Sequence, residues 1–145
     1  MEQSYLRHPK IYTKQEIAER QLDRAVILLL DEKDVVSAIT LAGAAEEILS
    51  RILAKQNKTS ALTDIVDEYK SLGKYTDQKL EERDFIRTMN FFRNEMKHHD
   101  IGLDEIPIPA EAAYEIINRA AENVWRLTGK YSQQVQRFNS QISEA

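Results

Sequence analysis

The stretch TLAGAAEEIL, residues 40–49, places four consecutive small residues before two adjacent glutamates in a largely apolar segment. Ala42, Gly43, Ala44 and Ala45 leave almost no side-chain bulk, so a second helix can approach this one closely. A glycine inside a helix lowers helix stability by about 1 kcal/mol relative to alanine. Close packing against a neighbouring helix is the compensation that the stretch predicts.

Helix signals lie on both sides of this stretch. Thr13 and Glu16 have capping-box spacing, in which each side chain satisfies the other residue's backbone N–H, and this predicts a first helix to about Leu30. Asp34 is the expected N-cap of a second helix, which contains the small-residue stretch and continues to about Gln56. Only a short polar connector separates the two helices.

Three more helices are predicted downstream. The third, over residues 61–72, is expected to end with Gly73 in the C′ position, which is usually left-handed. Asp77 is the expected N-cap of a fourth, uninterrupted helix that reaches about His99. Spacings of three and four residues give it one apolar stripe, formed by Phe85, Met89, Phe92 and Met96.

The fifth predicted helix begins with Pro109 in its first turn and ends at Gly129. Gly102 and the two prolines that follow it, Pro107 and Pro109, stop the fourth helix. The buried face of the fifth helix is expected to contain Ala113, Ile116, Ile117, Ala120, Val124 and Leu127.

Composition agrees with an all-helical chain. The 145 residues suit one domain, the 4 glycines and 3 prolines are few, and no segment alternates with period two. We predict an all-α fold, a single up-and-down bundle of four to five helices. Residues 1–12 are expected to form an N-terminal arm, 13–129 the bundle, and 130–145 a polar C-terminal extension that continues a helix or packs on a partner.

Composition also excludes several kinds of site. The chain has no cysteine, so disulfides, cysteine nucleophiles and cysteine zinc sites are impossible. Its glycines are too far apart for a phosphate-binding loop, and we expect no cofactor. The most apolar run, residues 25–30, is too short to cross a bilayer, and the N-terminus lacks a signal-peptide core. A cytoplasmic protein without a membrane partner is therefore expected.

The segment FFRNEMKHHD, residues 91–100, contains the side chains that best suit chemistry. Histidine titrates near neutral pH, so His98 can accept and donate a proton in one catalytic cycle. Arg93 offers a fixed cation with a fork of donors for a phosphate. A base for the 2′-hydroxyl and a cation for the phosphate are sufficient for RNA cleavage without a metal. Lys97 and His99 lie beside this pair.

The spacing of Arg93 and His98 requires a helix end. Five residues along an ideal helix correspond to a rotation of about 140°, which separates the two side chains. A loosened last turn would bring His98 back toward Arg93, whereas a regular helix through His99 would contradict the pairing. The competing interpretation is an ordinary basic last turn, because lysine and histidine complement the negative end of the helix dipole.

Charge adds weight to the segment. The chain as a whole carries a formal charge of −4. Residues 83–99 carry +2 from fixed charges, which come from Arg83, Arg87, Arg93 and Lys97 against Asp84 and Glu95. Such a local excess of positive charge suits a polyanion even though the whole chain is acidic.

The residues RNEMKH, 93–98, resemble the R-x4-6-H motif of the HEPN superfamily (higher eukaryotes and prokaryotes nucleotide-binding domains). The similarity extends over residues 13–129, because HEPN domains are bundles of four or five helices with the motif near the end of a late helix. The resemblance implies a metal-independent endoribonuclease of defence or toxin–antitoxin systems, which acts as a homodimer whose two motifs face one cleft. It also implies RNA as substrate and an antitoxin or regulatory protein as a further partner.

The resemblance assigns roles to individual residues. Arg93 would contact the phosphate, His98 would be the acid and base, and Asn94 would orient them. An acidic residue on an earlier helix is expected near the arginine, and Glu46 or Glu47 is the candidate. The competing interpretation for this glutamate pair is a solvated helix face.

One position departs from part of the family. Some HEPN toxins have a tyrosine two residues after the histidine, where a partner nucleotidyltransferase modifies it, and this chain has Asp100 there. That departure argues against control by such a partner. Some members have lost catalysis, so the alternative is a non-catalytic HEPN-like bundle that binds a nucleotide, RNA or a protein.

Two further hypotheses stay open. A carboxylate-bridged metal site is conceivable from His98, His99, Asp100, Glu46 and Glu47, although only one Glu-x-x-His pairing, Glu95 with His98, occurs. The chain is alternatively a structural or interaction protein. In that case Trp125, Tyr131 and Phe138 form a dimer surface rather than core, and the Gly43 patch is a contact between chains.

Overall fold

The computed structural model describes residues 7–73, 81–97 and 104–144. Within these ranges the chain forms seven helices and no strand, which confirms the prediction of an all-α fold. The helices in chain order are α1 (Lys14–Leu30), α2 (Val35–Lys55), α3 (Ala61–Leu72), α4 (Glu82–Met89), α5 (Phe91–Glu95), α6 (Ala110–Thr128) and α7 (Gln133–Glu144).

The predicted starts of α1 and α2 are confirmed, because Thr13 and Asp34 are their N-caps. Thr13 Oγ1 accepts a hydrogen bond from the Glu16 backbone N–H at 3.0 Å, and the Glu16 carboxylate accepts one from the Thr13 N–H at 3.4 Å. Asp34 Oδ1 accepts a hydrogen bond from the Ser37 N–H at 3.0 Å. These caps satisfy backbone donors that have no partner inside their helices.

The core forms where α1, α2 and α6 pack together. Three of the four small residues of α2, Ala42, Gly43 and Ala45, are buried and let the other helices approach its backbone, whereas Ala44 is half-buried. Helix α7 packs on α1, and its Val135 and Phe138 belong to the same core. Residues 130–145 are polar in composition, but two apolar side chains at helical spacing are enough to bury one face of this segment. The dimer-surface interpretation is therefore wrong for Phe138, which is fully buried.

Helix α6 follows the predicted pattern closely. It begins one residue after Pro109, which is the N-cap rather than a residue of the first turn, and it ends before Gly129. Gly129 has φ +71°, a left-handed conformation that glycine adopts without a steric penalty. Five of the six predicted buried side chains are buried, whereas Leu127 is half-buried. Trp125 is 44% exposed and packs against the Tyr131 ring at 4.9 Å between centroids.

Two predicted features of the middle of the chain are wrong. The fourth helix is interrupted at Asn90, whose φ and ψ of −106° and 11° separate α4 from α5. Gly73 does follow α3, but its φ of −62° is right-handed, because the chain leaves the helix through a turn in which Gly73 N–H bonds to the Tyr69 carbonyl at 2.9 Å. The predicted cap Asp77 lies outside the described residues.

The apolar stripe that the sequence predicts in this region is only partly buried in the core. Phe92 and Met96 pack half-buried against the core, and Phe85 stacks on Tyr69 with ring centroids 4.0 Å apart. Helix α5 contacts α2, and α4 contacts α3. As for membranes, the part of the chain that the structure describes has no helix of sufficient length and apolar character to cross one.

A buried asparagine joins three helices. Asn123 on α6 is fully buried, and its Oδ1 accepts a hydrogen bond from the first N–H of α3, that of Ala61, at 2.8 Å. Its Nδ2 donates to Ser50 Oγ on α2 at 3.2 Å. The side chain thereby supplies a partner for a backbone group at a helix start, where no intrahelical partner exists.

Replacing Asn123 with alanine is expected to lower the free energy of unfolding by about 1–3 kcal/mol, because the buried Ala61 N–H loses its acceptor. Urea denaturation followed by circular dichroism measures the change. Asn118→Ala on the exposed side of the same helix is the control and should stay within about 0.5 kcal/mol of the parent. Equal stability of the two variants would contradict the assigned role of Asn123.

Candidate functional site

A glutamate is buried where α2 meets α5 and α6. Only 2% of the Glu46 side chain is exposed, which is unusual because carboxylates are almost never fully buried unless they are paired. The solvated-face interpretation is therefore wrong for Glu46. It does describe the neighbouring glutamate, since the Glu47 side chain is 43% exposed and pairs with Arg51 at 3.0 Å.

Two guanidinium groups, which come from two different helices, contact the buried carboxylate. Arg119 Nε on α6 lies 2.6 Å from Glu46 Oε2, and the Arg119 side chain is 4% exposed. Arg93 Nη1 on α5 lies 3.7 Å from Glu46 Oε1, and the Arg93 side chain is 12% exposed. The three groups together carry one net positive charge.

Arg119 also binds the segment that separates α4 from α5. Its Nη1 donates to the Met89 backbone carbonyl at 3.4 Å, and its Nη2 donates to Asn90 Oδ1 at 3.2 Å. Asn90 itself is buried. One guanidinium fork therefore connects α6 to α2 and to the interruption at Asn90, and this explains why the predicted uninterrupted helix does not form. We call Glu46, Arg93, Arg119 and Asn90 the Glu46 cluster.

The position of Arg93 depends on the absence of a side chain at residue 43. Gly43 and Glu46 are three residues apart on α2 and so share one face of the helix. A Cβ atom at Gly43 would lie 2.5 Å from Arg93 Cδ and 2.7 Å from Arg93 Cγ, which is too close for carbon atoms. The aliphatic part of Arg93 thus lies across Gly43, and its guanidinium reaches Glu46 one turn further along.

Burial and charge act against each other in this cluster. Burial raises the pKa of Glu46 above its ordinary value, while the charges of Arg119 and Arg93 oppose the rise and Glu47 adds to it. Burial likewise lowers the pKa of Arg119, and Glu46 opposes that change most strongly. An arginine keeps its charge in proteins, so the cluster holds two cations for one carboxylate.

The structure brings some of the predicted site residues together and separates others. Arg93 and Glu46 are in contact, whereas Glu47 belongs to a separate surface pair with Arg51. Asn94 and Lys97 are exposed at the end of α5. They are available to solvent and do not take part in the buried cluster.

The helix that carries the motif ends early. Helix α5 stops at Glu95, Met96 is its C-cap, and residues 96–97 form a turn. Met96 keeps right-handed backbone angles, φ −72° and ψ −16°, so the helical rotation continues to that residue. His98, His99 and Asp100 lie outside the described residues.

The metal hypothesis has no counterpart in the ranges described. Residues 7–73, 81–97 and 104–144 contain no group of three histidines or carboxylates that could hold a metal ion. The Glu46 carboxylate faces two guanidiniums, and a cation there would have to displace one of them.

Two members of the cluster, Arg119 and Asn90, were not predicted. Arg119 lies three residues after Ile116 and four before Asn123, so it occupies the buried stripe of α6. A charged residue inside an apolar stripe was the available signal, because such a residue requires a buried partner. Asn90 gave no comparable signal, since an asparagine within a helix usually faces solvent.

A separate open groove is lined by residues of α3 and α6, and Arg119 is the one member of the Glu46 cluster among them. It has a volume of about 400 Å³ between α3 and α6, and its rim carries Asp64, Glu68, Glu122 and Arg126. Arg126 bonds to Asp64 at 2.7 Å and to Glu122 at 3.1 Å, so the charged groups of this groove largely satisfy each other. The described residues of the motif, 93–97, do not line it.

Comparison of the chain with protein-family models, with curated proteins and with solved structures gave no match.

The two adjacent glutamates provide a matched test of the buried cluster. Glu46→Gln is expected to lower the free energy of unfolding by about 3–5 kcal/mol, because two buried guanidiniums lose their counter-charge. Glu47→Gln should change it by no more than about 0.5 kcal/mol. Urea denaturation measures both, and a Glu46→Gln protein as stable as Glu47→Gln would contradict the burial of Glu46 between the two arginines.

Proposed function

We propose that this chain is a HEPN-like, metal-independent endoribonuclease of a defence or toxin-like system. It acts in the cytoplasm as a homodimer with a composite site, and an antitoxin or regulatory protein is a further partner. The observation that carries the proposal is the Glu46 cluster, in which the motif arginine Arg93 is held by a buried carboxylate beside a second arginine.

The buried Nε donor of Arg93 and the length of its contact with Glu46 support a role in binding phosphate. Its contact with Glu46 is 3.7 Å long, which is beyond hydrogen-bonding distance. Its Nε is buried and finds no acceptor among the residues that the structure describes. A phosphate oxygen would satisfy such donors, since a guanidinium carries five N–H groups in a planar fork.

The net charge of the cluster supports the same role. Two guanidiniums and one carboxylate leave a single positive charge in a site of low dielectric, where its effect on an anion is stronger than in water. Lys97 adds an exposed cation at the end of α5. Charge that builds on a phosphate in the transition state would be stabilised there without a metal ion.

The proposed reaction needs one group that exchanges protons, and His98 has that role. As a base it removes the proton of the ribose 2′-hydroxyl, whose oxygen then attacks the adjacent phosphorus. The bond from phosphorus to the 5′-oxygen breaks. His98, which now carries the proton taken from the 2′-hydroxyl, donates a proton to the leaving 5′-oxygen. The products are a 2′,3′-cyclic phosphate and a free 5′-hydroxyl. Arg93 stabilises the phosphate, and Asn94 and His99 assist at its edge.

A second function is favoured by the burial of Arg93. Its side chain is only 12% exposed, so only a small part of the guanidinium surface is accessible to a phosphate. The same cluster would serve a non-catalytic HEPN-like bundle that binds a nucleotide, RNA or a protein partner. In that case Arg93 has a structural role, and the exposed Lys97 and Asn94 make the contact with the ligand.

Cleavage of labelled single-stranded RNA by the purified protein in EDTA tests the nuclease. We expect cleavage by the parent, a loss on the order of 10²–10³ in rate for Arg93→Ala, and a loss on the order of 10²–10⁴ for His98→Ala. The 2′,3′-cyclic phosphate is identified by its resistance to phosphatase until acid opens the ring.

Arg24→Ala is the matched control for loss of an arginine, because Arg24 lies on α1 in an exposed pair with Glu32. Its rate should equal that of the parent. Parent-like cleavage by His98→Ala would exclude the proposed acid and base. Absence of cleavage by the parent, together with RNA binding measured by fluorescence anisotropy, would favour the binding module.

A further inference from the structure

Arg119 is the member of the Glu46 cluster with the most contacts. It pairs with Glu46 on α2 and donates to Met89 and Asn90, which end α4 and precede α5. Its own backbone lies on α6, between the buried residues Ile116 and Asn123. No other side chain in the described residues joins these three parts of the molecule through one charged group.

The contacts of Arg119 define the surroundings of Arg93. Asn90 precedes Arg93 by three residues, so a bond that fixes the Asn90 side chain also fixes the start and direction of the five-residue helix α5. Glu46 is the partner of Arg93, and the shorter of its two ion pairs is the one with Arg119. Arg119 therefore holds both the start of the helix that carries Arg93 and the carboxylate toward which the Arg93 side chain extends.

Stability alone does not account for such a cluster. Buried ion pairs often contribute no more than apolar side chains of similar volume, because the charges lose their hydration. A planar guanidinium does provide fixed directions for several bonds at once, which lysine cannot do. The cluster is therefore better suited to orienting groups than to holding the fold together.

We infer that Arg119 is a positioning residue of the proposed ribonuclease site, which orients Arg93 through Glu46 and Asn90, with Gly43 providing the space in which Arg93 lies. The inference rests on the proposed function, since the orientation serves the phosphate contact of Arg93. Arg119 itself touches neither the phosphate nor the reacting hydroxyl.

Arg119→Lys is the first test, because it keeps the charge beside Glu46 but cannot reach Glu46, Met89 and Asn90 together. We expect kcat for RNA cleavage to fall by about 10²-fold, the effect of misplacing a catalytic group by about 1 Å, while KM stays within a factor of about 2. The control is Arg126→Lys two turns further along α6. Arg126 also bonds to several partners, namely Asp64, Glu122 and the Thr59 carbonyl, but lies outside the cluster.

The comparison separates positioning from stability. Both substitutions remove a multidentate arginine from the same helix, so both are expected to lower the melting temperature. Only Arg119→Lys should lower kcat. If the two variants have the same kcat, Arg119 is a structural residue and the inference fails.

Gly43→Ala tests the same site without touching a charge. The added Cβ would lie 2.5 Å from Arg93 Cδ, so Arg93 must leave its position, while the helix gains the better propensity of alanine. We expect a folded protein whose kcat falls by about 10²-fold, as for Arg119→Lys. A Gly43→Ala protein that cleaves RNA at the parent rate would show that the observed orientation of Arg93 is not required. This variant keeps the test decisive if Arg119→Lys does not fold.

A spectroscopic measurement tests the positioning even if the proposed function is wrong. The Nε–H groups of Arg93 and Arg119 are both buried, so each should give a slowly exchanging signal in the ¹⁵N–¹H spectrum of the parent. Arg93→Lys assigns the Arg93 signal by its disappearance. In Arg119→Lys this signal should shift or exchange rapidly, and in Arg126→Lys it should be unchanged. An unchanged Arg93 signal in Arg119→Lys would overturn the inference, whether or not the parent cleaves RNA.

Discussion

A single buried carboxylate sets the conditions under which the rest of this molecule packs. Glu46 is almost fully removed from water at the meeting of three helices, where an unpaired charge would cost several kcal/mol. Two arginines and a residue without a side chain are needed to accommodate it. Three features of the fold meet at this carboxylate: the contact of Arg119 on α6 with α2, the bonds of Arg119 to the residues before α5, and the space that Gly43 leaves for Arg93.

The interruption at Asn90 connects this requirement to the candidate site. A continuous helix through residue 99 would turn Arg93 and His98 to different faces. The Arg119 guanidinium takes up the Met89 carbonyl and the Asn90 amide oxygen, and the chain resumes as the short helix α5, which ends at Glu95. Arg119 on α6 thus bonds to the residues at which α5 begins, and the helix that carries Arg93 ends two residues later at Glu95.

Local signals in the sequence predicted most of the helix ends, whereas contacts between distant residues determine which side chains meet in the candidate site. The caps at Thr13 and Asp34 and the end of α6 at Gly129 depend on residues within one turn, so the sequence displays them directly. The burial of Glu46 rather than Glu47 depends on Arg119, which is distant along the chain. Helical spacing from Ala42 to Leu49 places residue 46, and not residue 47, in the buried stripe of α2. That spacing was the available signal for Glu46, as the apolar stripe of α6 was for Arg119, but neither stripe shows that the two residues are partners.

The charge of the cluster favours a working site over a purely structural one. A cluster that serves only packing is most stable when each charge is neutralised and each buried donor has an acceptor. The described residues of the cluster leave one positive charge in excess, and the arginine with the longer contact to Glu46 is the one in the motif. Arg119 has the 2.6 Å contact with Glu46 and the bonds to the Met89 carbonyl and the Asn90 amide oxygen, whereas the Arg93 guanidinium lies 3.7 Å from Glu46. In the proposed phosphate site, Arg119 is the cation that the fold fixes, and Arg93 is the cation that binds the phosphate.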